Sequence, residues 1–87
     1  AYYNKNHLFI KQFPCFVDAQ YPDMGCNAEF FTNHRMLEVE TLGPLCTLKP
    51  ESSVTHTEVW HLFKGVEIED VESQFDALFS SIQKELL

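Results

Sequence analysis

The chain is short of positive charge: six Lys and Arg stand against thirteen Asp and Glu in 87 residues, for a net charge of −7. Nucleic acid is recognised through Lys and Arg at phosphates, and anionic membrane surfaces attract the same residues, so neither is an expected partner. No run approaches the roughly 20 apolar residues that span a bilayer. No charged-then-apolar leader opens the chain, and its first residue is Ala1 rather than Met. No C-x-x-C occurs. The thiols of Cys15, Cys26 and Cys46 are odd in number and widely spaced, which predicts free, buried cysteines rather than a disulfide framework. A reducing, cytoplasmic compartment is the matching expectation. The four histidines also lack zinc spacing, since His56 and His61, five apart, fall on opposite faces of a strand. No metal site is expected and no cofactor is implied. Internal repeats and low-complexity tracts are absent.

What is present describes one small globular domain or domain fragment. Apolar residues make up 45% and charged residues 22% of the chain, an ordinary folded composition. Eight Phe, three Tyr and one Trp predict a core built from large side chains. Residues 7–13 read as a strand that Pro14 ends, because proline cannot donate to a ladder. Residues 18–25, DAQYPDMG, carry turn chemistry. Strands over 26–32 and 35–41, joined at Asn33-His34, predict a hairpin. Gly43-Pro44 bends the chain into a short strand reaching residue 48, and residues 54–63 read as the longest strand. Residues 67–87 then form the clearest helix. Ile68, Val71, Phe75, Leu78, Phe79, Ile82 and Leu86 recur at three and four, giving one apolar stripe. Glu67, Glu69 and Asp70 precede or open it and Lys84 closes it, as the helix dipole favours. The expected fold is mainly β, an antiparallel β-sandwich portion over 1–65 with one C-terminal amphipathic helix.

Two periodicities place the candidate chemistry. Over 35–42, alternation puts Glu38 and Glu40 on one face, with Leu37, Val39 and Thr41 on the other. Over 26–33 one face carries Asn27, Glu29 and Phe31. Over 54–63 one face carries His56, Glu58 and Trp60. Sugar recognition needs carboxylates and amides to accept hydroxyl protons, with an aromatic ring for the apolar face of the pyranose. Glu29, Glu38, Glu40, Asn27, His56 and Trp60 supply those types. Asp23 and Asn27 lie by the loop where a ligand mouth would open. Solvated acids and packed aromatics satisfy the same pattern without any ligand.

The segments YPDMGCNAEFFTN, MLEVETLGPL and LKPESSVTHTEVWHLF, in that order and spacing, resemble the C-terminal part of the galactose mutarotase-like proteins. These are β-supersandwich proteins that include the aldose 1-epimerases. The likeness runs from about Tyr3 through Phe63, nearest an uncharacterised branch. It implies that the chain is the last third of a longer sandwich whose concave sheet holds an aldose. It further implies that Glu38 matches the glutamate that accepts the anomeric hydroxyl proton, with Glu40 as the register alternative. The acid histidine and the sugar-orienting aspartate of the epimerases lie upstream of the matched segments. Pro50-Glu51-Ser52 also replaces the usual Pro-Gly-Glu turn. Loss of an acid partner forfeits a factor on the order of 10²–10⁴, so the isolated chain is expected to be inactive. A sandwich missing most of its strands exposes edges and apolar area, which predicts a homo-oligomer. The competing expectation is a small β-module for protein assembly, without a sugar site.

Overall fold

Lys5 and Asn6 both take positive φ, 49° and 61°, the conformation of a two-residue hairpin turn whose twist matches that of its strands. The turn joins β1 (Tyr2–Asn4) to β2 (His7–Gln12) with Tyr2 opposite Phe9, Tyr3 opposite Leu8 and Asn4 opposite His7. A computed structural model describes residues 1–69 and 71–86, with the backbone alone at 71, 85 and 86. The expectations placed on Asp70 and on the side chains of Val71 and Leu86 lie outside the described residues.

The remaining elements are β3 (Ala28–Thr32), β4 (Leu37–Thr41), β5 (Val59–Lys64) and α1 (Val71–Leu86). They form a three-stranded sheet in the order β1-β2-β5 and a two-stranded antiparallel sheet, β3-β4. The chain is mainly β, with antiparallel sheets and one C-terminal helix. It divides into two compact units, one of Ala1–Ile10 with Trp60–Leu87, the other of Lys11–Val59.

In the first unit the apolar stripe of α1 covers one face of the sheet. Leu8, Ile10 and Ile82 are buried, with Tyr3, Phe63, Val66, Phe75 and Leu78 packed around them. Phe75 and Phe79, one turn apart, stack at 6.0 Å. Glu72 sits in the first turn of the helix and Lys84 in the last, the polarity that the backbone dipole favours. Glu67 and Glu69 precede the helix rather than opening it. Val66 is tied back to the hairpin turn: its N–H donates to the Asn6 carbonyl at 2.9 Å and its carbonyl accepts the Tyr3 hydroxyl at 2.7 Å.

The second unit is organised by hydrogen bonds. Asn33 starts the β3-β4 turn by accepting the Arg35 and Met36 N–H groups on its side-chain oxygen, at 2.8 and 3.0 Å, an Asx turn. The Leu42 N–H reaches the Asn27 carbonyl at 2.9 Å, continuing the pairing past both strand ends. No residue of 11–59 is fully buried, though several, Phe13, Tyr21, Val39 and Leu42 among them, are half-buried.

Several expectations are corrected here. The strands over 26–32 and 35–41 begin two residues later than expected, at Ala28 and Leu37. The strand expected after Gly43-Pro44 does not form, and that expected over 54–63 is confined to Val59–Lys64. An alternating pattern supplies a face but not a neighbour, and residues 45–48 and 54–58 have no ladder to join. Cys15, Cys26 and Cys46 are free, as expected, but exposed rather than buried.

Candidate functional site

Strand register assembles the acids. In β3-β4, Glu29 lies opposite Glu40 and Phe31 opposite Glu38, and directly opposed residues share a face. Glu29, Phe31, Glu38 and Glu40 therefore form one surface, with Asn27 continuing it by alternation. Phe31 is 51% exposed, so an open aromatic ring stands beside the Glu38 carboxyl. Phe31 falls on the expected face with Glu29 but was not among the candidate ligand contacts. The register, which pairs it with Glu38, is the signal that selects it.

The Glu38 carboxyl is held above the ordinary glutamate value, first by a side-chain hydrogen bond with Glu40, then by partial burial and by the charge of Glu40. Glu29 is raised in the same direction, first by a hydrogen bond with Asp23, then by partial burial and by the charges of Asp23 and Glu40. A hydrogen bond between two carboxyls requires a proton on one of them.

His56 is engaged on the opposite face of the hairpin. Thr41, on the Leu37–Val39–Thr41 face, donates its hydroxyl proton to Glu58 in a very short contact, and the His56 Nε2 lies 3.0 Å from the same oxygen. A hydroxyl has one proton, already given to Glu58, so His56 Nε2–H is the donor to Thr41. The Lys11 ammonium lies 3.0 Å from Glu58 and donates to the Val39 carbonyl, also at 3.0 Å. The ring of His56 lies near Gly43, where an added β-carbon would meet it at 3.5 Å, an ordinary contact. These bonds anchor residues 56–58 and Lys11 to the back of β3-β4.

No protein-family model, curated protein or solved structure matches the chain.

The six expected contact residues thus fall in three places. Asn27, Glu29, Glu38 and Glu40 share the acidic face, and Asp23 joins them through Glu29. His56 belongs to the Lys11–Thr41–Glu58 cluster behind it. Trp60 belongs to the other unit, 61% exposed and edge-on to Phe9 at 5.7 Å. Among the described residues, no group of three or more His, Cys, Asp or Glu converges as cation ligands. Among them too, no helix is long and apolar enough to cross a membrane. The acidic face can accept hydrogen bonds from hydroxyls and pack a ring against Phe31.

Proposed function

We propose that the chain is a carbohydrate-binding piece of a galactose mutarotase-like protein and that the acidic face of β3-β4 meets the sugar. The observation that carries this reading is the register pair Phe31–Glu38, flanked by Glu29 and Glu40. It sets an aromatic surface for the apolar side of a pyranose beside carboxylates that accept hydrogen bonds from its hydroxyls. On the likeness of residues 36–45 to the strand carrying the epimerase base, Glu38 would accept the proton, with Glu40, on the same face, as the register alternative. In a full-length parent Glu38 would take the anomeric hydroxyl proton while a histidine from an earlier strand protonates the ring oxygen. Without that partner this chain binds and does not interconvert anomers. Three free thiols exposed on the surface fit a reducing, cytoplasmic compartment.

Titration with a panel of aldoses, followed by protein NMR, tests the reading. Saturable shifts on residues 27–41 that disappear in Glu38→Gln and Phe31→Ala are expected. A folded sample without such shifts for any aldose would end it.

A second reading has its own observation. Residues 11–59 include no fully buried residue, while Phe16, Val17, Met24, Phe30, Leu45 and Leu48 are all more than half exposed. Apolar area on that scale suits assembly, with further copies of the chain or with another protein. Sedimentation at micromolar concentration separates the two: a monomer indifferent to concentration removes the homo-oligomer.

A further inference from the structure

A cavity of about 310 Å³ opens beside the Lys5-Asn6 turn, within the unit that holds α1 and apart from the acidic face. Its volume reaches the lower end of small-ligand pockets, roughly 300–1,000 Å³. Tyr2, Phe9 and Leu62 supply its apolar walls, and the turn supplies Asn4, Lys5 and His7. The register sets Tyr2 opposite Phe9 and Asn4 opposite His7, so these four lie on the sheet face turned away from the helix-covered Leu8 and Ile10.

Charge makes this place unlike the rest of the chain. With a net charge of −7 overall, the cavity is lined by a lysine and a histidine and by no acidic side chain. Lys5 is fixed there with φ at 49°, a left-handed conformation that residues with a β-carbon seldom take. The His7 Nδ1 lies 2.8 Å from the Lys5 carbonyl, and a carbonyl only accepts, so Nδ1 carries the hydrogen. The ring is thereby oriented by the same turn that places Lys5, and Nε2 presents its lone pair, so Lys5 is the group that meets an anion.

We propose that this cavity binds a small carboxylate with an apolar body, of about the size of benzoate. The ring of such a ligand packs against Tyr2, Phe9 and Leu62, while its carboxylate meets the Lys5 ammonium. This inference stands on different residues from the sugar reading and does not depend on it.

The test is an NMR-detected titration of the whole chain with sodium benzoate, with benzyl alcohol as the neutral probe of matching size. Saturating shifts confined to residues 2–9 and 62 are expected, with benzyl alcohol about fivefold weaker, the scale of one exposed charge contact. Lys5→Asn keeps the turn, since Asn tolerates the left-handed region. It should weaken benzoate about fivefold and leave benzyl alcohol unchanged. Glu38→Gln should change neither, which separates this outcome from failure of the sugar site. Equal affinity for the two probes overturns the proposal, as does unchanged benzoate binding in Lys5→Asn. Shifts that never saturate overturn it too. So does concentration-dependent broadening of the same amides without ligand, which would assign the face to a second copy of the chain.

Discussion

Replacing Lys11 with Met should loosen the β3-β4 hairpin by an amount that the geometry sets. The Lys11 side chain is 9% exposed and that of Glu58 22%. The ammonium serves two acceptors, Glu58 and the Val39 carbonyl. Removing one partner of a fully buried pair costs about 3–5 kcal/mol, and of an exposed pair about 0.2–1 kcal/mol. Glu58 keeps the Thr41 hydroxyl and some water, which places the loss between these limits, at about 2 kcal/mol. At about 1.4 kcal/mol per decade, amide exchange on β3 and β4 should speed up about 30-fold. Adding Glu58→Gln removes the stranded charge while leaving an acceptor for Thr41, so the double variant should recover part of the loss, with a coupling of about 1 kcal/mol. Exchange followed by NMR at low and high salt reads both quantities. An acceleration below about fivefold, or one that vanishes in high salt, refutes the reasoning, because those are the marks of a screened surface pair.

Two further outcomes follow from the same structure. Glu38 and Glu29 bind their protons more tightly folded than unfolded, since both are raised above 4.5. Their contribution to stability is therefore full below the unfolded value and is lost as pH rises through the raised folded values. The urea midpoint of the native chain should fall more between pH 4.5 and 7 than that of Glu38→Gln, and parallel curves would contradict the raised Glu38 value. Leu8 is 1% exposed at the centre of the core, so Leu8→Ala should cost about 2–5 kcal/mol. An unchanged urea midpoint would mean that the helix does not cover this sheet in solution.

The sequence made some of this legible and hid the rest for identifiable reasons. The helix was readable because Phe75, Leu78 and Ile82 repeat at the helical period and meet a sheet that needs covering. The Glu38–Glu40 face was readable because strand alternation needs no knowledge of partners. Its completion by Glu29 and Phe31 was not, because register belongs to the pair of strands and not to either alone. The hairpin at the N-terminus escaped because Lys5-Asn6 lacks the glycine that usually marks such a turn. His56 was assigned to the acidic side by extending the alternation of residues 54–63, a strand that begins only at Val59. Its true partners, Thr41 and Glu58, depend on how the chain returns to the back of the hairpin.

That no residue of 11–59 is fully buried also bears on how this unit responds to heat. The heat capacity of unfolding comes from apolar surface newly met by water, about 0.45 cal/K/mol per Å². A unit that hides little such surface has little to expose. Its free energy then varies gently with temperature, with no sharp calorimetric peak and no cold limit of its own. What holds it is directional: the Asn33 turn, the β3-β4 ladder, and Lys11 on Glu58 and Val39. Contacts of that kind yield one at a time, so this half of the chain melts by degrees, while the unit around Leu8, Ile10 and Ile82 carries the cooperative step.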